Sequence, residues 1–513
     1  MNEENTYNLI DEPWIPVLMQ DGTNRSVSLG EVFADTDGQI ADLALNPYER
    51  VAVFRLLLCI AQAALGPERL KDERAWRAAK DAVGPVSADY LKKWHDRFSL
   101  YGPHAFLQPD CIALAKADGT TPCDKLVFQL ASGNNSTLYD HDAVGGRALS
   151  DAKLALGFLV YQNFSSGGLS GQCVWDGIPT EKSIQGAPCR ERSMLFSILQ
   201  GLSLLDSIWL NFVTDSWVHD SLKTDWGYPF WEFDELTRKT VFGNENTYLG
   251  HLVPLSRAIK LTRRSPVCIL GEALPYPQIP AWRESMASVK LQKGTKKDEF
   301  LEAYVTSNPS KMPWRELASI LSVRESGGRK SALALRHLES MPDREFTLWT
   351  GGLYSEKAKE IDTVEWKVRL SVGLLEELAM LRYEKAIIWA DRQRGGLYFA
   401  AVEYAKAVFI DDVSRFSVPA ERAYWDILAQ ADNQRIVLGV ESPTYKDDWK
   451  KATRKAAEEA YRRACPAVTA RQMEAYAQGF AKLLVPDGEK DKTAGGTDFE
   501  QDEGGDHVRR KER

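Results

Sequence analysis

The chain has 513 residues, of which 44% are apolar and 27% charged, and a formal net charge of −8. That length can bury two or more cores, the composition is that of a globular protein in water, and the negative balance argues against a protein that coats nucleic acid by bulk electrostatics. The seven cysteines (Cys59, Cys111, Cys123, Cys173, Cys189, Cys268 and Cys465) are odd in number and none is spaced C-x-x-C, so reduced thiols are expected, with neither a disulfide framework nor a zinc knuckle.

Residues 7–17, Y-N-L-I-D-E-P-W-I-P-V, place a short apolar strand, an acidic turn and a Pro-Trp-Ile-Pro clamp near the N-terminus. Leu9, Ile10, Trp14, Ile15 and Val17 offer apolar area that ties this end into a sheet, and Pro13 and Pro16 hold it extended. The first residues are acidic and do not read as a signal peptide. Residues 27–33 read as a second strand or a helix start. Helical periodicity follows at 46–65, 75–98 and 192–210. The apolar run at 51–65 carries Arg55 and Gln62, so no membrane span is expected and a cytoplasmic location is. Three loops stand out, at 132–147, 165–186 and 351–363. Two basic runs, Arg257, Lys260, Arg263 and Arg264, then Lys290, Lys293, Lys296 and Lys297, are candidate local patches on the acidic chain. Residues 1–362 therefore read as an irregular α+β domain with long functional loops.

From residue 365 the pattern changes. Trp366, Leu370, Leu374, Leu378 and Leu381 recur at helical spacing, and the helical pattern continues through 399–411. Ser417 and Pro419 offer a start signal for another helix, and 443–465 and 469–484 carry one apolar face each. Four or five antiparallel helices over 363–485 make a helix bundle. Residues 486–513 are polar and glycine-rich, ending in Arg509, Arg510, Lys511 and Arg513, and are expected to be disordered.

Motifs for chemistry are sparse. There is no G-x-x-x-x-G-K-[ST] phosphate loop and no H-E-x-x-H zincin pattern. Asp140, His141 and Asp142 are adjacent in a loop, where three side chains do not converge on one point. Residues 167–171, G-G-L-S-G, approach a G-x-S-x-G nucleophile elbow, but the final glycine falls one residue early and the flanking residues do not read strand-turn-helix. A stand-alone serine hydrolase using Ser170 is thus one alternative reading, and a scaffold protein with a binding hairpin is another. Lacking Cβ atoms, the same glycines let the backbone lie close against another backbone or a groove floor. Gly351 and Gly352 launch a projecting tip bearing Tyr354, Lys357 and Lys359, of a kind that inserts between stacked bases.

Taken in order, these features resemble the CasA family, the large subunit of the type I-E CRISPR surveillance complex Cascade, from residue 9 to about residue 484. The opening L-I-D-E-P-W-I-P-V, the C-D-K-L at 123–126 leading to Ser132 and Gly133, the pair Gly145 and Gly146, the G-A-P at 186–188, the P-Y-P at 275–277 and the Gly351–Gly352 pair follow the family pattern. The resemblance implies a non-catalytic subunit of an RNA-guided complex that reads the protospacer-adjacent motif (PAM) of duplex DNA through the minor groove, while guide pairing reads the rest. Minor-groove readout is degenerate, so a tolerant motif preference is implied. Ser166, Gly167 and Gly168 match the family's glycine loop. The basic finger falls at Ser265, beside Arg263 and Arg264, of which Arg264 is favoured. The wedge maps to Lys357 and Ala358, flanked by Tyr354 and Lys359. Asn134, Asn135 and Tyr139 map to a loop contacting the 5′ handle of the guide RNA, where an aromatic stacks on a splayed base. Some members bind zinc through two C-x-x-C pairs. Val144 and Arg147 stand where the first pair would be and the second has no counterpart, so no metal is implied, and no cofactor. The implied partners are the other Cascade subunits, the guide crRNA, target double-stranded DNA and a helicase-nuclease recruited after R-loop formation, with no membrane.

Overall fold

The Pro-Trp-Ile-Pro segment opens the first strand, Ile15–Met19, which pairs antiparallel with Asn24–Val27 on one side and Ile40–Leu43 on the other. Trp14 is buried and its indole N–H donates to the Leu9 carbonyl (3.0 Å), while the Leu9 N–H donates to Phe98 O (2.9 Å). The segment from Leu9 to Trp14 is therefore anchored, as its apolar residues predict. Val27 closes the second strand and Ser28 caps the helix Leu29–Ala34 with a reciprocal Glu31 contact, so the 27–33 segment is both strand end and helix start. The computed structural model describes residues 7–130, 147–169, 171–296, 299–325, 327–341, 345–356 and 359–483. These divide into two units, one ending at Leu370 and one beginning at Ser371.

The core of the first unit is the helix Pro47–Arg69, capped by Asn46 with Pro47 in its first turn. By length and apolarity alone it could cross a bilayer, which the sequence reading did not anticipate, but 72% of its most apolar window is buried inside the protein. Its two polar interruptions are satisfied internally. The Arg55 guanidinium bonds the carbonyls of His251 and Leu252 and pairs with Glu284 at 2.7 Å, and Gln62 bonds Val213 and Tyr248. The helices Val83–Lys93 and Asp151–Phe164 pack on it.

Two predicted helical stretches differ. Residues 75–98 split into Glu73–Ala78 and Val83–Lys93. Within 192–210, Phe196–Gln200 is a strand and only Leu204–Leu210, capped by Ser203, is helical. Nearly every residue of that strand is buried, so its sequence shows no alternation and fits a helical face as well.

Phe196–Gln200 forms one edge of a three-stranded sheet with Glu345–Glu356, which is followed by Lys359–Ser371. Gly351 and Gly352 lie mid-strand, not at the projecting tip. A Cβ on Gly351 would sit 2.5 Å from the Trp349 ring, and one on Gly352 2.7 Å from Met194 O. The tip comes at 357–358, outside the described residues. Trp366 and Leu370 belong to the returning strand, where Val364, Trp366, Val368 and Leu370 alternate inward. A spacing of four residues satisfies both a strand and a helix, which is why the sequence suggested a helix there and a boundary at 362/363.

In the second unit, Glu377–Ala407 packs against Ser414–Leu428, Tyr445–Ala464 and Ala470–Leu483, with Ala431–Leu438 between. The seam of the long helix runs through Tyr383, Ala386, Ala390, Leu397, Ala400 and Tyr404. Leu378 and Leu381 face solvent, contrary to the predicted stripe. Ser414 begins the second helix and Pro419 lies inside it, not at its start. The fold is thus an irregular α+β unit followed by a helical one. Residues 486–513 lie outside the described residues.

Candidate nucleic-acid interface

The helix Asp151–Phe164, capped by Ser150, ends at Ser165, and the chain then enters the glycine loop. Gly168–Leu169 pairs antiparallel with Ser183–Ile184. Gly167 packs backbone against backbone, for a Cβ there would lie 2.6 Å from Gly186 N and 2.9 Å from Ile184 O. Gly168 has φ +108° and nothing within 4 Å of where a Cβ would project, so its backbone is open to solvent. Leu169 beside it is 89% exposed.

Two buried arginines hold this loop. Arg257 donates to the carbonyls of Ser166 (3.2 Å), Gln185 (2.7 Å) and Ser256 (2.8 Å), and burial lowers its pKa from the usual guanidinium value. It is an internal clamp and not the surface cation its place in the basic run suggested. Arg190 lies in the turn Pro188–Ser193 and its Nη1 donates to Phe164 O (3.1 Å) and to the Glu360 carboxylate (2.6 Å). Just before that turn, Ala187 N–H donates to Ser165 O (2.9 Å). At its end, the Ser193 hydroxyl accepts from Ser355 N–H (3.0 Å) and lies 3.3 Å from Ser355 O. Ser355 and Glu360 flank the hairpin tip from opposite strands, so one short turn fastens the end of the helix that carries the glycine loop to the far end of the hairpin.

The remaining predicted residues fall in three groups. Tyr354 is half-buried and donates to Glu356 (2.8 Å), and Lys359 is exposed, while Lys357 and Ala358 lie outside the described residues. So do Asn134, Asn135, Tyr139, Val144 and the Asp140–Asp142 cluster. Arg263 and Arg264 occupy the turn between strands Arg257–Lys260 and Val267–Glu272. Arg263 pairs with Asp151 (3.6 Å) at the start of the helix whose end carries the glycine loop, and Arg264 is exposed with φ +60°. Fourteen helical residues span about 21 Å. The structure therefore does not bring Arg263 and Arg264 against Gly167 and Gly168. Ser265 is engaged in its own turn, donating to Val267 O (2.8 Å). In the second basic run Lys290 pairs with Glu316 at 2.9 Å, and Lys297 lies outside the described residues.

Ser170 is also outside the described residues, but the chain around it runs from strand Gly168–Leu169 to strand Cys173–Trp175, without the strand-to-helix turn of a nucleophile elbow. A surface hollow of about 610 Å³ lies by Gln200, Glu345 and Arg369, at the opposite end of the hairpin from its tip. Among the described residues, no three His, Cys, Asp or Glu side chains gather to hold a metal ion.

Sequence reasoning missed Arg190, Ser193 and Glu360. Arg190 stands only two residues beyond the quoted G-A-P, but its carboxylate partner is 170 positions away and nothing local marks the pair.

Residues 8–464 match the family model described as CRISPR-associated protein Cse1. The CRISPR-associated protein CasA/Cse1 of Thermus thermophilus is 30% identical over 528 residues, covering 95% of this chain and 99% of that protein. Its crystal structure superposes with a TM-score of 0.72 at 25% identity, over 93% of this chain and 98% of that one. Thermobifida fusca Cse1 shares the fold at a TM-score of 0.76 and 20% identity, over 93% and 98%. A chain in a CRISPR RNA-guided surveillance complex shares it at 0.73 and 16%, over 94% and 100%.

Proposed function

The chain belongs to the CRISPR-associated Cse1 family, and from that premise we propose that it is the large, non-catalytic subunit of an RNA-guided surveillance complex, reading the PAM of duplex DNA and starting strand separation. The observation that carries this reading is the turn Pro188–Ser193, which bonds the end of the helix that carries the glycine loop on one side and both strands of the hairpin on the other. A reader and a wedge must meet neighbouring base steps, and these two tips share one mount.

In this reading the backbone of Ser166, Gly167 and Gly168 lies against minor-groove edges, and at the open Gly168 a side chain would hold the loop away. Lys357 and Ala358, between Tyr354 and Lys359, enter the first base step beside the motif, at an unstacking cost of about a few kcal/mol. Arg263 and Arg264, about 20 Å along the helix, serve as phosphate contacts further along the same duplex and not as base readers at the motif. Asn134, Asn135 and Tyr139 meet the guide 5′ handle. Other complex subunits, the crRNA and a helicase-nuclease recruited once the R-loop forms are the partners.

The test is assembly of the chain with the subunits encoded beside it and a guide, followed by selection from a duplex library randomised next to the target. The wild-type complex enriches a short flanking motif and opens it. Gly167→Ala loses the enrichment, because its methyl group meets the backbone at 184–186. Lys357→Asp keeps the enrichment and opens the duplex more slowly. Opening that ignores the flanking sequence would sink the proposal.

A further inference from the structure

The hairpin is long for a two-stranded ribbon, and near the tip its returning strand has little packing of its own. Residues 359–363 are all exposed on the returning strand. Such a ribbon is marginal by itself and bends unless something grips it. Near the tip, the turn Pro188–Ser193 gives side-chain hydrogen bonds to both strands. Arg190, whose side chain is only 5% exposed, spans from the Phe164 carbonyl to Glu360, whose side chain is 32% exposed. Phe164 closes a fourteen-residue helix, so its carbonyl lies at the negative end of the dipole, where a cation is favoured. A bond between charged partners at 2.6 Å is among the stronger and more directional kinds. On the other strand, Ser355 is held by Ser193 of the same turn.

We propose that Arg190 and Glu360 are positioning residues for duplex opening. Their ion pair ties the hairpin to the end of the helix that carries the glycine loop, so that docking of the loop on its motif sets where the wedge enters. Neither residue needs to touch DNA. The pair converts a bound motif into an aligned wedge, and its loss separates recognition from opening.

The inference rests on the function proposed above, and its test distinguishes the two. Full complexes carrying wild type, Glu360→Ala, Glu360→Gln, Arg190→Lys or Asp362→Ala are given two duplexes with the selected motif. One is fully paired and the other is mismatched at the first steps beside the motif, so that it is already open. Opening is followed by permanganate reactivity of thymines and binding by equilibrium titration. Glu360→Ala opens the paired duplex about tenfold more slowly, the kinetic equivalent of one charge-assisted hydrogen bond. It binds the mismatched duplex as wild type does. Glu360→Gln and Arg190→Lys, which keep an acceptor or the charge, fall between. Asp362→Ala, which removes an exposed acid from the same strand, matches wild type and controls for charge near DNA. Wild-type opening by Glu360→Ala, or an equal loss on both duplexes, overturns the positioning role. Motif-independent opening by the wild-type complex overturns the parent reading instead.

Discussion

Two histidines of the first unit are buried and uncharged. His337 stacks on Trp76 with ring centroids 3.6 Å apart, beside Trp217, and its Nε2 lies 2.8 Å from Phe212 O. His251 stacks on Trp282 and lies 3.7 Å from Glu284, the partner of Arg55. Burial pushes both imidazoles down to about 3. The unfolded chain takes up protons near the ordinary histidine value while the folded chain does not, so stability falls as pH drops from about 6.5 towards 3. Glu191 has the opposite sign. Burial raises it to about 7, so its contribution is present at acid pH and is lost as pH rises through that value. His337→Asn is expected to remove up to about one proton, or 1.4 kcal/mol per pH unit, from the acid limb. A series of urea midpoints between pH 4 and 7 reads this directly. An unchanged slope would place the titration elsewhere. Nothing in the one-letter code marks these histidines as interior, because their aromatic partners are distant in sequence.

At the scale of elements, legibility followed period and length. The anchoring N-terminal segment and the helices Pro47–Arg69 and Tyr445–Ala464 were read correctly because apolar spacing, caps and prolines agree there. The hairpin was misread because Trp366 and Leu370 fit two periods at once, and Phe196–Gln200 because a strand buried on both faces has no alternation to show. The glycine loop was legible, since Gly167 and Gly168 are needed for a close backbone approach and a positive φ. Its two clamping arginines were not, as their acceptors are carbonyls and one remote carboxylate. These outcomes set up a contrast in stability. Trp349, fully buried mid-hairpin, is expected to cost about 3–5 kcal/mol on replacement by alanine. Leu378, 58% exposed in the helix where the sequence pattern placed it in a core, should cost about 0.5 kcal/mol or less. Chemical denaturation of both variants decides between the observed and the patterned core.

For the molecule as a whole, each unit has its own buried centre, on Pro47–Arg69 in the first and on Glu377–Ala407 in the second. Two cores of this kind are expected to give two cooperative transitions. In the second, Gly479 lets two helices meet, since a Cβ there would lie 2.6 Å from Ala400 O. Gly479→Ala is expected to lower one calorimetric transition by several degrees and leave the other in place, and a common shift of both would show that the units unfold together. The net charge of −8 argued against a non-specific coat, and the family pattern supplied what composition could not. What remained hidden were the long-range contacts that fix one loop against another.

Arg257 grips the glycine loop solely through main-chain oxygens, those of Ser166 and Gln185. The side chains of Ser166 and Gln185 therefore take no part in this clamp. Under the function proposed above, substitutions at Ser166 and Gln185 retune which flanking bases are tolerated without loosening the fixture beneath, so that targets can change while the hardware stays the same.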